Sequence, residues 1–315
     1  MDITIVIPLY NEDESLNELF KWIKSSLAET GLTYEVFFID DGSRDDSWEV
    51  VKKLSEENSN VRGVRFRRNY GKSAALNVGF GDVKGDVVIT MDADMQDSPE
   101  EISGLYKMIM EDGFDMISGW KKKRHDPIMK TLPSKFFNGT TSFFTGIKLH
   151  DANCGLKAYK REVVEAIEIY GEMHRFIPVI AKKAGFDKIG EKVVEHRARL
   201  YGTTKFGLER FINGFLDLLS ILFVTRFGKQ PMHLFGTIGT LSFISGGLLT
   251  VWVLAEKQYR IHNHLDVRDV VDQPLFYLAL VMTVVGVQLF LTGFLAELVS
   301  RNAPDRNDYK VRERI

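Results

Sequence analysis

Ile3-Thr4-Ile5-Val6-Ile7-Pro8-Leu9-Tyr10-Asn11-Glu12-Asp13-Glu14-Ser15-Leu16 decides the fold. A run of β-branched and apolar residues favours a strand buried on both faces. It ends in Pro8, Tyr10 and Asn11, and Leu16, Leu19, Phe20, Ile23 and Leu27 then recur at helical spacing. Asn11 followed three residues later by Glu14 reads as the cap of that helix. The alternation repeats along the chain. Tyr34 to Ile39, Val61 to Phe66, Asp86 to Met91 and Met116 to Ser118 read as further strands. Ser98, Pro99 and Glu101 read as a capping box with proline at the first helical position. Strand alternating with helix implies an α/β fold: a Rossmann-like, mostly parallel sheet with helices on both faces.

Ligands of such sheets bind outside the carboxyl ends of the strands. The first strand ends in Pro8, Tyr10, Asn11 and Glu12, the second in Asp40, Asp41, Gly42 and Ser43, and the fourth in Asp92 through Asp97. Three acidic clusters therefore converge on one crevice. Asp92 and Asp94, one residue apart, share a turn with Gln96. Such oxygen donors suit Mg²⁺ or Mn²⁺, ions that keep positions open for phosphate oxygens. Arg65, Arg67, Arg68, Lys72, Lys121, Arg199 and Lys205 are the cations available to phosphates, whereas Lys122 and Lys123 read as a solvated face. There is no phosphate-binding loop, nucleophile elbow or Cys/His zinc spacing. Of the seven histidines, His174 alone is shortlisted, with a structural role favoured. Asn138-Gly139-Thr140 matches a glycosylation sequon and is read as chance.

The rest of the composition is consistent with this. The chain has 315 residues with a formal charge of −2, which gives no pull toward nucleic acid. The single cysteine, Cys154, excludes an internal disulfide. No basic-then-apolar leader is expected at the N-terminus. Mean hydropathy of −0.10 averages two unlike regions. Residues 232–254 and 274–298 read as two spans, each long enough to cross a hydrocarbon core roughly 30 Å thick. Residues 206–230 contain an amphipathic stretch suited to a bilayer interface. Basic residues flank the pair, including those of a basic tail at 301–315. Both termini are therefore expected on the cytoplasmic face, with the connector from Glu256 to Gln273 outside. Residues 1–205 would form the cytoplasmic catalytic domain and 231–300 the two-span hairpin. Gly236, Gly239, Gly246 and Gly247 on the first span leave homo-oligomer packing open.

The ordered motifs resemble a known family. They are Ile5-Val6-Ile7-Pro8-Leu9-Tyr10-Asn11-Glu12, Asp40-Asp41-Gly42-Ser43, Asn69-Tyr70-Gly71-Lys72 and Asp92-Ala93-Asp94-Met95-Gln96-Asp97. Together they are similar to the family-2 glycosyltransferases of GT-A fold. Asp151-Ala152-Asn153-Cys154-Gly155-Leu156-Lys157, His174-Arg175-Phe176-Ile177-Pro178 and Arg199-Leu200-Tyr201-Gly202-Thr203-Thr204-Lys205 narrow this to the polyprenyl-phosphate glycosyltransferases. That group contains dolichyl-phosphate mannosyltransferase and the bactoprenol glucosyltransferases.

The resemblance implies an inverting transfer of a hexose from a nucleotide-diphosphate sugar to undecaprenyl or dolichyl phosphate at the membrane. A UDP-sugar is favoured and GDP-mannose is open. Pro8, Tyr10, Glu12, Ile39, Asp41, Lys72, Asp92 and Ala93 would bind the donor nucleotide. Asp92, Asp94 and Gln96 would hold Mg²⁺ or Mn²⁺. Lys121, Arg199 and Lys205 would bind phosphates, and Asp94, Asp151 and Lys205 would stand at the reacting centre. The alternatives are a membrane glycosyltransferase with a glycan or protein acceptor, and a non-catalytic nucleotide-sugar-binding scaffold.

Overall fold

A computed structural model describes residues 1–122, 147, 149–151, 153–195, 197, 231–301 and 311–315. Among these, an eight-stranded sheet is built from β1 (Ile3–Leu9), β2 (Tyr34–Asp40), β3 (Val61–Phe66), β4 (Val87–Thr90), β5 (Met116–Trp120), β6 (Lys157–Lys160), β7 (Ile189–Val193) and β8 (Val311–Arg314). Its order is β7-β5-β6-β4-β1-β2-β3-β8. The strand pairs β1/β2, β1/β4, β2/β3 and β5/β7 are parallel, whereas β6 and β8 run antiparallel to their neighbours. Strand order reverses between β1 and β4, the switch point where such sheets open a crevice. The parallel strands legible in the sequence are all present. The antiparallel β6 and β8 and the parallel β7 are additions to that reading. They are short and charged, and pairing alone makes them strands.

Apolar side chains fill both faces of the sheet. Ile3, Ile5, Ile7 and Leu9 point to one face, packing with α1 (Asp13–Leu27), α2 (Ser47–Glu57) and α4 (Ile102–Met110). Val6, Phe37 and Ile39 point to the other face, against α3 (Lys72–Phe80), α5 (Arg161–Ala166) and α6 (Ile177–Lys183). The helix starts differ from the expected caps. Asn11 has a positive φ of 57° and does not cap α1; its Oδ1 accepts the Arg44 N–H at 2.9 Å, which ties the β1 loop to the β2 loop. The Ser98 side chain makes no capping bond, and the first turn is a 3-10 turn at Pro99–Glu101. The Glu101 carboxylate is instead engaged by Lys192 and by the Glu195 N–H.

A second compact unit holds the C-terminal helices. α7 (Pro231–His262) and α8 (Pro274–Arg301) form an antiparallel pair, both long and apolar enough to cross a membrane. α7 continues past the expected end at 254, carrying Glu256, Lys257 and Arg260 within the helix, and α8 runs to 301 rather than 298. The glycines serve contacts inside the hairpin. A Cβ on Gly239 would lie 2.7 Å from the Gly286 carbonyl oxygen, and one on Gly246 would lie 2.7 Å from that of Ala279. Only Gly247, among the four glycines noted on the first span, has open space around it.

The tail is also corrected. Within the basic segment expected over 301–315, Val311–Arg314 pairs with β3, and Ile315 and Gly63 exchange two backbone bonds of 2.8 Å. Charge alternation hid this strand, because an edge strand needs only backbone pairing on one side. The amphipathic stretch 206–230 lies outside the described residues.

The sheet's lower rim is closed by a backbone approach. A Cβ on Gly85 would sit 2.4 Å from the Thr4 nitrogen, and the Gly85 N–H already donates to Thr4 Oγ1 at 2.8 Å. Gly85→Ala should therefore cost about 1–3 kcal/mol and lower Tm by roughly 3–10 °C. Thermal melts in detergent would check this, with Gly247→Ala as the control that leaves Tm unchanged.

Candidate active site

The β4 strand leaves the sheet into a turn with a two-residue rhythm. Met91, Ala93, Met95 and Asp97 are buried, while Asp92, Asp94 and Gln96 are partly exposed. Met95, at φ 59°, makes the bend that keeps the alternation going. Asp92, Asp94 and Gln96 thus each keep part of their surface open at this turn. Lys72, the first residue of α3, places Nζ against Asp92 Oδ1. Burial alone would raise the Asp92 pKa, but the charges of Lys72, then Lys121 and Lys157, overcome it and hold the group at about 2. Asp92 is therefore ionised at any working pH. The donors are all oxygen, and among the described residues no group of three or more His, Cys, Asp or Glu is arranged to hold a metal. The oxygen donors of Asp92, Asp94 and Gln96 are of the type that suits Mg²⁺ or Mn²⁺.

Behind this turn lies a second layer of charge. Lys121 Nζ pairs with Asp97 Oδ1 at 2.9 Å, with Asp97 wholly buried. The paired carboxylate raises the Lys121 pKa although burial opposes it. Lys121, expected among the phosphate-binding cations, is thus paired inward with Asp97. Gly155 packs so close that a Cβ there would lie 2.5 Å from Asp92 Oδ2 and 2.8 Å from Asp97 Oδ2. Lys157, 4 % exposed, donates to the Cys154 carbonyl. Burial lowers its pKa, while Asp151 and Asp92 act to raise it. Neither Gly155 nor Lys157 was assigned a role from sequence. Both lie in the Asp151–Lys157 motif, the one signal that pointed toward them.

The β2 end joins the β3 end through Asp41. Its Oδ1 accepts the Tyr70 N–H at 2.7 Å and its Oδ2 the Gly71 N–H at 2.9 Å, which brings Lys72 to Asp92. Tyr10 is exposed, and Pro8 and Glu12 are partly buried at the neighbouring β1 end. Ile39 and Ala93 differ from expectation. Ile39 is fully buried among the α3-face residues and Ala93 is 3 % exposed against the opposite core, so neither side chain lines an opening. Asp151 is almost completely buried, with Ser118 Oγ donating to its carbonyl at 3.1 Å. His174 is tied to Ser73, the residue after Lys72. Ser73 Oγ lies 3.0 Å from the ring Nδ1 and accepts the His174 N–H at 3.0 Å. Burial, then the charges of Lys72, Arg175 and Lys157, push His174 down to about 2, so it stays neutral. Arg199 and Lys205 lie outside the described residues.

A comparison with known families matches residues 4–168 to glycosyl transferase family 2. The chain belongs to that family. It is 32% identical over 304 residues to dodecaprenyl-phosphate galacturonate synthase of Rhizobium johnstonii, covering 96% of this chain and 88% of the relative. It is 34% identical over 304 residues to undecaprenyl-phosphate 4-deoxy-4-formamido-L-arabinose transferase of Aeromonas hydrophila, covering 96% and 90%. Among solved structures, glucosyl-3-phosphoglycerate synthase of Mycobacterium tuberculosis, in complex with Mn²⁺, UDP and glucosyl-3-phosphoglycerate, superposes with a TM-score of 0.56 at 19% identity, covering 71% of this chain and 79% of that one. Mannosyl-3-phosphoglycerate synthase of Rubrobacter xylanophilus gives a TM-score of 0.59 at 14% identity, covering 72% and 75%. The sheet is that of the GT-A fold, and the chain is a family-2 glycosyltransferase.

In this glycosyltransferase the buried Asp41 carries a pH signature. Burial, aided by the Asp40 charge, raises its pKa from 3.8 to about 6 against the two amide bonds. Between those values the folded chain holds a proton that the unfolded chain has released, so this carboxyl stabilises the fold below about pH 4 and the stabilisation is lost as pH rises through 6. Asp41→Asn removes the term. From pH 4.5 to pH 7 the variant should gain roughly 2–3 kcal/mol relative to the parent, seen as a converging or inverted Tm difference in melts at the two pH values.

Proposed function

We propose that this glycosyltransferase moves a hexose-type sugar from a nucleoside-diphosphate donor to a polyprenyl phosphate at a membrane surface. One observation carries the lipid acceptor. The acidic sheet-end site and two helices of membrane-crossing length belong to one chain, and the segment after the second helix returns to the same sheet as β8. A chain that carries both an acidic sheet-end site and a pair of membrane-length helices suits an acceptor held in a bilayer. The relatives named above, aligned over 96% of the chain, carry polyprenyl phosphates in their names. Lys and Arg on the flanks favour the cytoplasmic face, with undecaprenyl phosphate as the acceptor and a UDP-sugar as the donor.

The reaction we infer is a single in-line displacement. A phosphate oxygen of the acceptor attacks the anomeric carbon, the bond to the donor diphosphate breaks, and the nucleoside diphosphate leaves from the opposite face with inversion. The acceptor phosphate is largely ionised near neutral pH, since its second pKa is about 6. A strong general base is then unnecessary, and Asp151 orients the acceptor rather than deprotonating it. A divalent ion bound by Asp92, Asp94 and Gln96 would offset the charge growing on the leaving diphosphate. Lys72 supplies positive charge beside Asp92 and is free to turn to phosphate when that carboxylate is otherwise engaged. Lys205 and Arg199 would meet the acceptor phosphate, and the nucleoside would lie along Pro8, Tyr10, Glu12 and Asp41.

The first test incubates detergent-purified protein with undecaprenyl phosphate, Mg²⁺ or Mn²⁺, and radiolabelled UDP- and GDP-sugars. One donor should yield a labelled lipid, and chelation should abolish it; absence of labelled lipid from every donor, with nucleotide binding intact, overturns the acceptor. Asp94→Asn should lower turnover at least about 100-fold, in line with loss of transition-state charge stabilisation, with Tm unchanged. Asp151→Asn should lower it less. Equal losses at matched donor binding would reverse that ranking.

A further inference from the structure

Four polar side chains stand in one row across four adjacent strands. Glu191 of β7 is the register partner of Ser118 in β5, Ser118 that of Lys157 in β6, and Lys157 that of Thr90 in β4. Register partners share a face of the sheet, and here all four bond the backbone of the same short segment. Glu191 Oε1 accepts the N–H of His150 at 2.7 Å and of Asp151 at 3.0 Å, and Oε2 takes His150 Nδ1 at 2.8 Å. Ser118 Oγ donates to the Asp151 carbonyl at 3.1 Å. Lys157 donates to the Cys154 carbonyl, and Thr90 Oγ1 to that of Gly155 at 3.0 Å. The described residues of 150–155 lie in no helix or strand, so this row supplies partners that their buried backbone groups need.

We propose that this row is a positioning device for Asp151 and the acceptor phosphate, and that Glu191 is the residue on which it depends. Glu191 holds the backbone amides of His150 and Asp151 with one carboxylate whose side chain is 12 % exposed. Trp120 stacks on the His150 ring at 4.1 Å, which closes the latch from outside. At the other end the row seats Gly155 directly against Asp92 and Asp97. One rigid strand row thus sets the spacing between the acidic turn of β4 and Asp151. Ionised carboxylates are the strongest neutral-amide acceptors available, and no other side chain of that length offers two such oxygens. This inference rests on the acceptor-side role given to Asp151 above.

The test uses the full chain in detergent and two independent readouts. In Glu191→Ala and Glu191→Gln, hydrogen–deuterium exchange should rise in the peptide covering 149–156 and stay unchanged in the one covering 92–97. kcat/KM for the polyprenyl phosphate should fall 10- to 100-fold in Glu191→Ala, with KM for the donor sugar nucleotide unchanged. In an Asp151→Asn background the Glu191→Ala effect should largely vanish, because the two act through one group. Unchanged exchange at 149–156 overturns the positioning role. Raised exchange with acceptor kinetics intact shows that the row positions the loop and that Asp151 has no acceptor-side part, a failure of the functional reading instead. A full Glu191 effect in the Asp151→Asn background also overturns the proposal. Glu191→Gln, which keeps one accepting oxygen, covers the case in which the alanine variant fails to fold.

Discussion

The structure depends on balancing charge at the carboxyl end of β4. Asp92, Asp97 and Asp151 gather there with little water, and uncompensated carboxylates in such a place would cost several kcal/mol each. Lys72, Lys121 and Lys157 supply the compensation, each from a different element: the start of α3, the end of β5 and the start of β6. Every neighbouring loop is consequently held in place by the charge it contributes. Asp97 and Lys121 form the inner, permanent pair, while Lys72 and Asp92 form the outer pair at the solvent edge.

Topology delivers those charges. In a purely parallel sheet, the residues that precede a strand sit at the far end from the ligand crevice. β6 runs antiparallel between β4 and β5, so the segment before it arrives at the crevice and not at the opposite rim. That inversion brings Asp151, Gly155 and Lys157 to the same end as Asp92. A sheet of six like-directed strands with one inverted strand inserted thus builds a crevice with the loops of β1 and β2 on one side and the residues before β6 on the other. β8 uses the same inversion at the other edge, where it returns the chain from the helical hairpin to β3.

Several features were legible in the residues. Apolar runs marked β1 to β5, helical spacing marked the core face of α1, and the uncharged stretches marked α7 and α8. Acidic residues were expected at the strand ends, and Asp92, Asp94 and Gln96 are each partly exposed at the end of β4. What escaped were pairings without local signature. Lys-Ala-Tyr-Lys of β6 and Ile-Gly-Glu-Lys-Val of β7 were not legible as strands, because segments of four or five residues with charges among them carry too few alternations to stand out. Asn11 and Glu101 looked like caps from spacing alone, yet each found a stronger partner from a distant segment.

Local chemistry therefore sufficed for the first five strands and the pair of long apolar helices, since periodicity and residue type act over a few neighbours, while the ordered motifs carried the reaction class through family resemblance. The partner of each charge was settled only in three dimensions. Lys121 faces Asp97 and not solvent, Ile39 joins the core, and Glu191, Ser118, Lys157 and Thr90 form one row although they lie far apart in the chain. Strand register and burial decide such partnerships, and both arise from contacts between segments that sequence spacing does not encode.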